Sequence, residues 1–295
     1  MSTVAANPGQ SSGTSLVQDL IEAGIHFGQR SSAWNPRMQP YIYGKRSGIH
    51  IIDIKETVKG LLLAKKYIRQ CVANGKDVCF IGTKRQAKDV LIQRCTDAKQ
   101  PFVTERWLGG TLTNFRTIRL RLKRLEELEA IEQNDNFQSY SKKMESQLRR
   151  EMRKIKRNLE GIRTMEKLPG ALVVIDVKNE ITAIKEARKL GIPTICLLDT
   201  DGDPEMADIP IPGNDDSMRS IDVVIRELCL AVAEGRQDRE MSRPQDAGEG
   251  APAQGEGPRR SRRAQFRSDE APAAPSDDQT PARAEPARAG AERAQ

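Results

Sequence analysis

Residues 106–125, RWLGGTLTNFRTIRLRLKRL, carry the residue types and spacing most suited to chemistry in this chain. A Gly-Gly bend runs into a basic helical pattern in which Arg116, Arg119, Arg121, Lys123 and Arg124 crowd a few turns, with Trp107, Asn114 and Phe115 just before them. Cations neutralise phosphates and flat rings stack on bases or pack on sugars, so the mixture suits a folded RNA surface better than a small substrate. A second cluster, Gly82-Thr83-Lys84-Arg85, follows an apolar run and opens a helical pattern. Backbone N–H groups at such a start, with two cations beside them, suit a phosphate. A third is the run Leu197–Asp203, an apolar strand ending in D-x-D-G. There Asp199 would attack phosphorus and Asp201 would act as general acid/base, with magnesium between them. The chain has two histidines, His26 and His50, and a Ser-His-Asp or Cys-His site would need one of them. His50 lies inside the apolar run Gly48–Ile52, which argues for a structural role, and His26 reads as packed or RNA-facing.

The elements that must position these residues begin with the totals. The chain has 295 residues, a formal charge of +7 and an isoelectric point near 9.2. From Arg236 to Gln295 eleven Arg meet eleven Asp or Glu, whereas from Glu105 to Glu160 fourteen Lys or Arg meet nine acids. Much of the excess positive charge therefore sits in one internal segment, the footprint expected of a polyanion partner. The five cysteines form no C-x-x-C pair, which points to a reducing compartment and no metal knuckle. The N-terminus has no apolar signal core and no run is long enough to cross a bilayer, so the chain reads as soluble and cytosolic.

Residues 1–15 are small and polar and are expected to be disordered. A short helix follows from Leu16 to Ala23, then an irregular stretch through His26–Gly28 and Trp34–Pro36, a strand Ile49–Ile52 and a helix Ile54–Ala73. Val78–Ile81, Ala171–Asp176 and Thr194–Leu198 read as buried strands. Thr83 opens a helix with Gln86 three residues on, a capping box. Glu180–Leu190 is helical, and Asn214 caps a last helix from Met218 to about Glu234. Apolar strands alternating with amphipathic helices predict an α/β fold with a parallel sheet covered on both faces. Between Thr111 and Met165 that rhythm stops. Phe115, Ile118, Leu122, Leu125 and Leu128, then Met144, Leu148, Met152, Ile155, Leu159 and Ile162, recur at helical spacing around the polar turn Asn134–Asn136. Two such stripes predict an inserted antiparallel coiled-coil helical hairpin with charged outer faces. The organisation is thus an α/β domain over 16–104 and 168–235, a hairpin over 105–167, and a disordered Ala/Pro/Arg/Glu-rich tail over 236–295.

The D-x-D-G run resembles the nucleophile motif of haloacid-dehalogenase-type phosphatases, which would make Asp199 and Asp201 a phosphatase pair. That motif normally opens the fold, with later strands supplying further groups, whereas here only a loop and one helix remain. A turn of Asp, Gly and Pro204 accounts for the same residues. A nucleotide- or flavin-binding regulatory module would need a Gly-rich loop, and there is neither a G-x-G-x-x-G after a strand nor a Walker loop.

The ordered blocks Ala23–Gly28, Trp34–Pro36, Ile49–Ile52, Gly82–Arg85, Arg106–Gly110, Leu112–Asn114, Ile175–Asp176, Ala183–Ala187, Leu190–Pro193 and Ile211–Asp216 together closely resemble the bacterial form of the S-two family of small-subunit ribosomal proteins, over about residues 16–236. The resemblance implies a flavodoxin-like α/β domain with a protruding coiled-coil hairpin. It also implies a non-catalytic constituent of the small ribosomal subunit in the bacterial cytoplasm, bound to small-subunit ribosomal RNA and helping to retain the mRNA-recruiting protein S-one. No cofactor, catalytic residue, resident metal, membrane partner or small-molecule substrate is expected. The expected RNA contacts are Lys84, Arg85, Arg106, Trp107, Asn114, Arg116, Arg119 and Lys123, with Arg30, Trp34 and Lys45 as a second patch. Where the family often reads H-F-G-H-Q, Gln29 replaces the second His, so any role of that His, metal binding included, does not carry over. The tail is longer than usual.

Overall fold

The computed structural model describes residues 12–133 and 141–242. Five parallel strands form the central sheet: β4 (Val78–Ile81), β5 (Phe102–Val103), β6 (Ala171–Ile175), β7 (Thr194–Leu198) and β8 (Ile209–Pro212), in the spatial order β5-β4-β6-β7-β8. Counted from β4, this is the flavodoxin-like order 2-1-3-4-5. Three of these strands are the apolar runs expected from the sequence. The other two escaped notice for physical reasons. β5 is only two residues long, and β8 reads I-P-I-P. Proline has no N–H to donate to a ladder and so belongs on an edge, where β8 lies beside β7.

Each central strand is buried along its whole length, so its two faces feed two cores. Cys79, Ile81, Leu172, Val174, Cys196 and Leu198 face one apolar cluster, which includes Ala183, Ile184 and Ala187. These last three belong to helix α6 (Ile181–Leu190). Val78, Phe80, Ala171, Val173, Ile195, Leu197 and Ile211 face the other. That side is covered by α1 (Ser12–Glu22), α2 (Ile54–Ala73), α3 (Arg85–Asp97) and α7 (Met218–Met241). Helices on both faces are the arrangement the apolar strands required.

Several local expectations are corrected. Helix α1 begins at Ser12, ahead of Leu16. The capping box does not form. Lys84 is the N-cap of α3, without a side-chain cap bond, and the Thr83 hydroxyl donates instead to Glu180. Asn214 does not cap α7. Its side chain accepts from the N–H groups of Asp216 and Ser217, and Ser217 is the cap. Helix α7 continues past Glu234 to Met241 because α2 holds it: Arg69 pairs with Glu234 and Asp238, and Gly235 lies against the Arg69 carbonyl. The stretch read as irregular contains β1 (Phe27–Arg30), which joins β2 (Ile42–Arg46) and β3 (Ile49–Ile52) in a three-stranded antiparallel sheet of order β1-β3-β2.

The interrupted segment forms two helices, α4 (Phe115–Gln133) and α5 (Lys142–Leu159). Ile118, Leu122, Leu125 and Leu128 of α4 share one apolar cluster with Leu148, Met152, Ile155 and Leu159 of α5, continuous with the sheet through Trp107, Leu112, Ile162 and Met165. The expected turn at Asn134–Asn136 and the tail beyond Ser242 lie outside the described residues.

Candidate nucleic-acid interface

The chain leaves the α/β body for α4 through a clamp that no local pattern announces. Glu186 on α6 is buried, and its carboxylate accepts from the Trp107 indole N–H at 3.2 Å and from the backbone N–H groups of Gly110, Leu112 and Thr113 at 2.7, 3.0 and 3.2 Å. The Thr113 hydroxyl adds a fifth donor at 3.3 Å. Burial alone would raise the pKa of this carboxyl, but the converging donors outweigh it and hold Glu186 below its ordinary range. Gly110 supplies the bend at φ 91°, a conformation that a Cβ disfavours. Gly110→Ala should therefore lose about 1–3 kcal/mol of stability. Urea denaturation checks this, and an unchanged midpoint would mean that the bend is unstrained.

A second tie lies nearby. Glu105 pairs with Lys88 of α3 and accepts from Arg157 of α5 at 2.7 Å. These bonds fix the base of the helical pair from which the cations project.

On α4, Arg116, Arg119 and Lys123 are exposed at helical spacing on one side, with Leu120 between them. Arg119 also donates to the Met165 carbonyl at 3.2 Å. Arg121 and Arg124 lean instead toward Glu151, at 4.0 and 3.9 Å. Arg106, Asn114 and Arg85 are exposed as expected. Trp107 is not available for stacking. It is 7% exposed and committed to Glu186, so its assignment as a base platform gives way to a role in packing the bend.

Sequence reading overlooked the denser basic face, which is on α5. Lys143, Arg150, Arg153 and Lys154 are exposed along one side and form no ion pair among the described residues. Arg153 makes only a helix-internal bond to the Arg149 carbonyl. The available signal was the 7-residue step from Lys143 to Arg150, with Arg153 and Lys154 one turn on.

The second patch lies on the small sheet. Arg30 and Arg46 both register opposite the exposed Ile49 of β3, one from each flanking strand, and Lys45 registers opposite His50. Residues directly opposite one another share a face, so Arg30, Ile49 and Arg46 form an outward row. Tyr43, at the irregularity in β2 between Ile42 and Gly44, is 82% exposed, a ring that sequence reading did not single out. Trp34 is half-buried, with its ring 5.0 Å from that of His50. His50 is buried with both ring nitrogens lacking a hydrogen-bond partner, and His26 lies 4.1 Å from the Phe27 ring. Both are packed.

The carboxyl ends of β4 and β6 form the switch point where ligands bind in this topology. Here the crevice is filled from within. Lys84 places its ammonium 3.0 Å from Asp176, 2.8 Å from Asp215 and 2.8 Å from Asp216. Burial works against that charge, but the carboxylates, Asp215 first, outweigh it and hold Lys84 protonated far above neutral pH. Its expected role as a phosphate contact is revised accordingly, since three acid side chains already surround its ammonium. Burial pushes Asp215 up to about 8 and Asp199 up to about 6.

Asp199, Asp215 and Asp216 lie within 4.8 Å of one another, a spacing a cation could span. Five of their six oxygens accept hydrogen bonds. Gln29 donates to Asp199 at 3.2 Å and to Asp216 at 2.5 Å, the Thr200 N–H reaches Asp199 at 2.5 Å, and Lys84 takes Asp215 and Asp216. An ammonium and an amide thus bridge the three carboxylates. Gly28 makes this closure possible, because a Cβ there would come within 2.6 Å of Thr200. Asp201 points elsewhere, to Lys178 at 3.4 Å. The D-x-D-G acids therefore share no open site among the described residues.

The chain is thus a flavodoxin-like body with its crevice plugged by its own lysine, carrying two basic helices on a clamped bend. The sequence model of the ribosomal protein S2 family matches residues 20–235. The chain is 55% identical to the small ribosomal subunit protein uS2 of Rhodopirellula baltica over 221 residues, covering 75% of this chain and 85% of the relative. It is 46% identical to uS2c of Rhodomonas salina, over 78% of this chain and 95% of the relative. It is 45% identical to uS2 of a Picosynechococcus species, over 78% and 90%. This chain belongs to the ribosomal protein S2 family.

Proposed function

We propose that this protein is a structural constituent of the bacterial small ribosomal subunit, working in the cytoplasm in translation. It holds small-subunit ribosomal RNA on the outer faces of α4 and α5, with Arg30, Lys45, Arg46 and Tyr43 of the small sheet as a second contact. Family membership supports the ribosomal role. The observation that carries the RNA surface is the row Lys143, Arg150, Arg153 and Lys154, exposed and without carboxylate partners among the described residues. A row of unneutralised cations along a helix is matched by a phosphate backbone. On this reading α4 and α5 form a coiled-coil hairpin arm, and Arg85, Arg106, Asn114, Arg116, Arg119 and Lys123 line its base and one flank. Lys84 and Trp107 act by holding the scaffold.

The test is RNA affinity against salt. Changing Arg150, Arg153 and Lys154 together to Ala should lower the slope of log affinity against log salt by about 2–3, at about 0.9 per lost phosphate contact on duplex. An unaltered slope would remove α5 from the interface. Family membership also supports docking of protein S-one, for which co-sedimentation of S-one with subunits carrying or lacking this chain is the measure. The closed state of the switch-point acids supports a non-catalytic reading. Phosphate esters should not turn over, and magnesium-dependent turnover that disappears in Asp199→Asn would overthrow it.

A further inference from the structure

Two of the five cysteines lie on packed neighbouring helices in a way the ribosomal role does not use. Cys95 is on α3 and Cys229 on α7. The Cys229 thiol donates to the Arg94 carbonyl oxygen at 3.8 Å, so its sulfur sits beside the peptide bond that leads into Cys95. Cys229 thus reaches the turn of α3 that carries Cys95, and it packs against the apolar cluster that contains Cys95. Arg94 is held in place by Asp222 at 2.9 and 3.0 Å.

The pair is unequal. Cys95 is fully buried, and burial holds its thiol well above the ordinary range. Cys229 is partly exposed. The hydrogen bond from Cys95 and the charge of Arg94, against burial, hold its thiol below that range. An open cleft of about 540 Å³, lined by Arg94, Asp222 and Arg226 among others, reaches to within one turn of Cys229 on α7. The other three cysteines are buried, and burial pushes Cys79 and Cys196 up to about 12. A thiolate-prone, partly exposed cysteine next to a buried one is the arrangement of a reactive thiol and its resolver.

We propose that Cys229 is a peroxide-reactive site and that Cys95 resolves it, forming an internal disulfide that ties α3 to α7. In the first step the Cys229 thiolate attacks one oxygen of hydrogen peroxide. An S–O bond forms, the O–O bond breaks, and hydroxide leaves and takes up a proton to become water. The sulfur, oxidised by two electrons, is left as sulfenic acid, and the peroxide is reduced. In the second step the Cys95 sulfur attacks the Cys229 sulfur. The S–S bond forms, the S–O bond breaks, and the hydroxyl departs as water with the Cys95 proton. Two thiols and one peroxide become one disulfide and two waters, and a cellular dithiol reductant reverses the change.

The experiment treats the full-length protein with hydrogen peroxide, alkylates the remaining thiols and maps the peptides without reduction. The expected result is joint loss of Cys95 and Cys229 alkylation, a Cys95–Cys229 linked peptide, and recovery of both thiols with dithiothreitol. Cys95→Ser should leave a sulfenic acid on Cys229 that dimedone traps. Cys229→Ser should keep its other thiols alkylatable. Circular dichroism checks that each variant is folded, and the wild-type peptide map decides without them. Three outcomes overturn the proposal: no loss at a peroxide dose that oxidises a free cysteine peptide in the same tube, loss at other cysteines first, or oxidation of Cys229 with no linked peptide.

Discussion

Lys84→Ala is expected to lose about 3–5 kcal/mol of folding stability near neutral pH, without changing the salt dependence of RNA binding. The size follows from what remains. Asp176, Asp215 and Asp216 all touch the same ammonium, and two of the three are buried. Removing one partner of a buried ionic cluster costs more than the cluster contributes, because the stranded charges keep their desolvation penalty. The pH dependence gives the sign. Asp215 is raised to about 8 and Asp199 to about 6, so in this range the folded state binds more protons than the unfolded chain, and stability falls as pH rises. Without Lys84 the Asp215 carboxyl rises further. The loss should be largest near pH 8 and should shrink below about pH 6, where the acids can protonate. Urea titrations of both proteins across that range measure it. A phosphate-contacting Lys84 would behave in the opposite way, with little stability lost and the salt slope reduced by about 0.9.

The contrast between Lys84 and the α5 cations shows which information a sequence holds locally. β4, β6 and β7 were legible because a strand buried on both faces is apolar along its length. Helix α2 was legible from end to end because an apolar stripe and the Asp53 cap mark it within its own residues. The inward turn of Lys84 was not legible, because the acids that draw it in lie beyond β6 and β8, more than ninety positions away. Glu186 was invisible for the same reason, being 73–79 residues from the groups it clamps. β1 and β2 are too short and mixed to show alternation, and they exist because β3 lies between them. The α5 stripe was local and could have been found. On α4 the cations are closer in sequence and follow a Gly-Gly bend, but two of them lean toward Glu151.

Glu186→Gln should release the bend at the root of α4, lowering stability by about 2–4 kcal/mol and weakening RNA binding without removing a single cation. One carboxylate oxygen takes the Trp107 indole and the Gly110 N–H, and the other takes Leu112 and both donors of Thr113. An amide keeps the shape but turns one oxygen into a donor. At least two N–H groups then face an NH₂ in a site with little water, at about 1–3 kcal/mol for each buried group left unpaired. Because the folded carboxyl lies below its ordinary range, its contribution is fully present above the unfolded value of about 4.3 and is lost as pH falls through the folded value. The two proteins should therefore converge in stability in acid and differ most at neutral pH. Amide exchange localises the effect: Gly110, Leu112 and Thr113 should lose protection while the sheet strands keep theirs. In RNA binding, affinity should fall while the salt slope stays near that of the unmodified protein, since the cations are misplaced rather than absent. Retained protection at Gly110, Leu112 and Thr113 in Glu186→Gln would show that the bend holds itself and that α6 merely lies alongside.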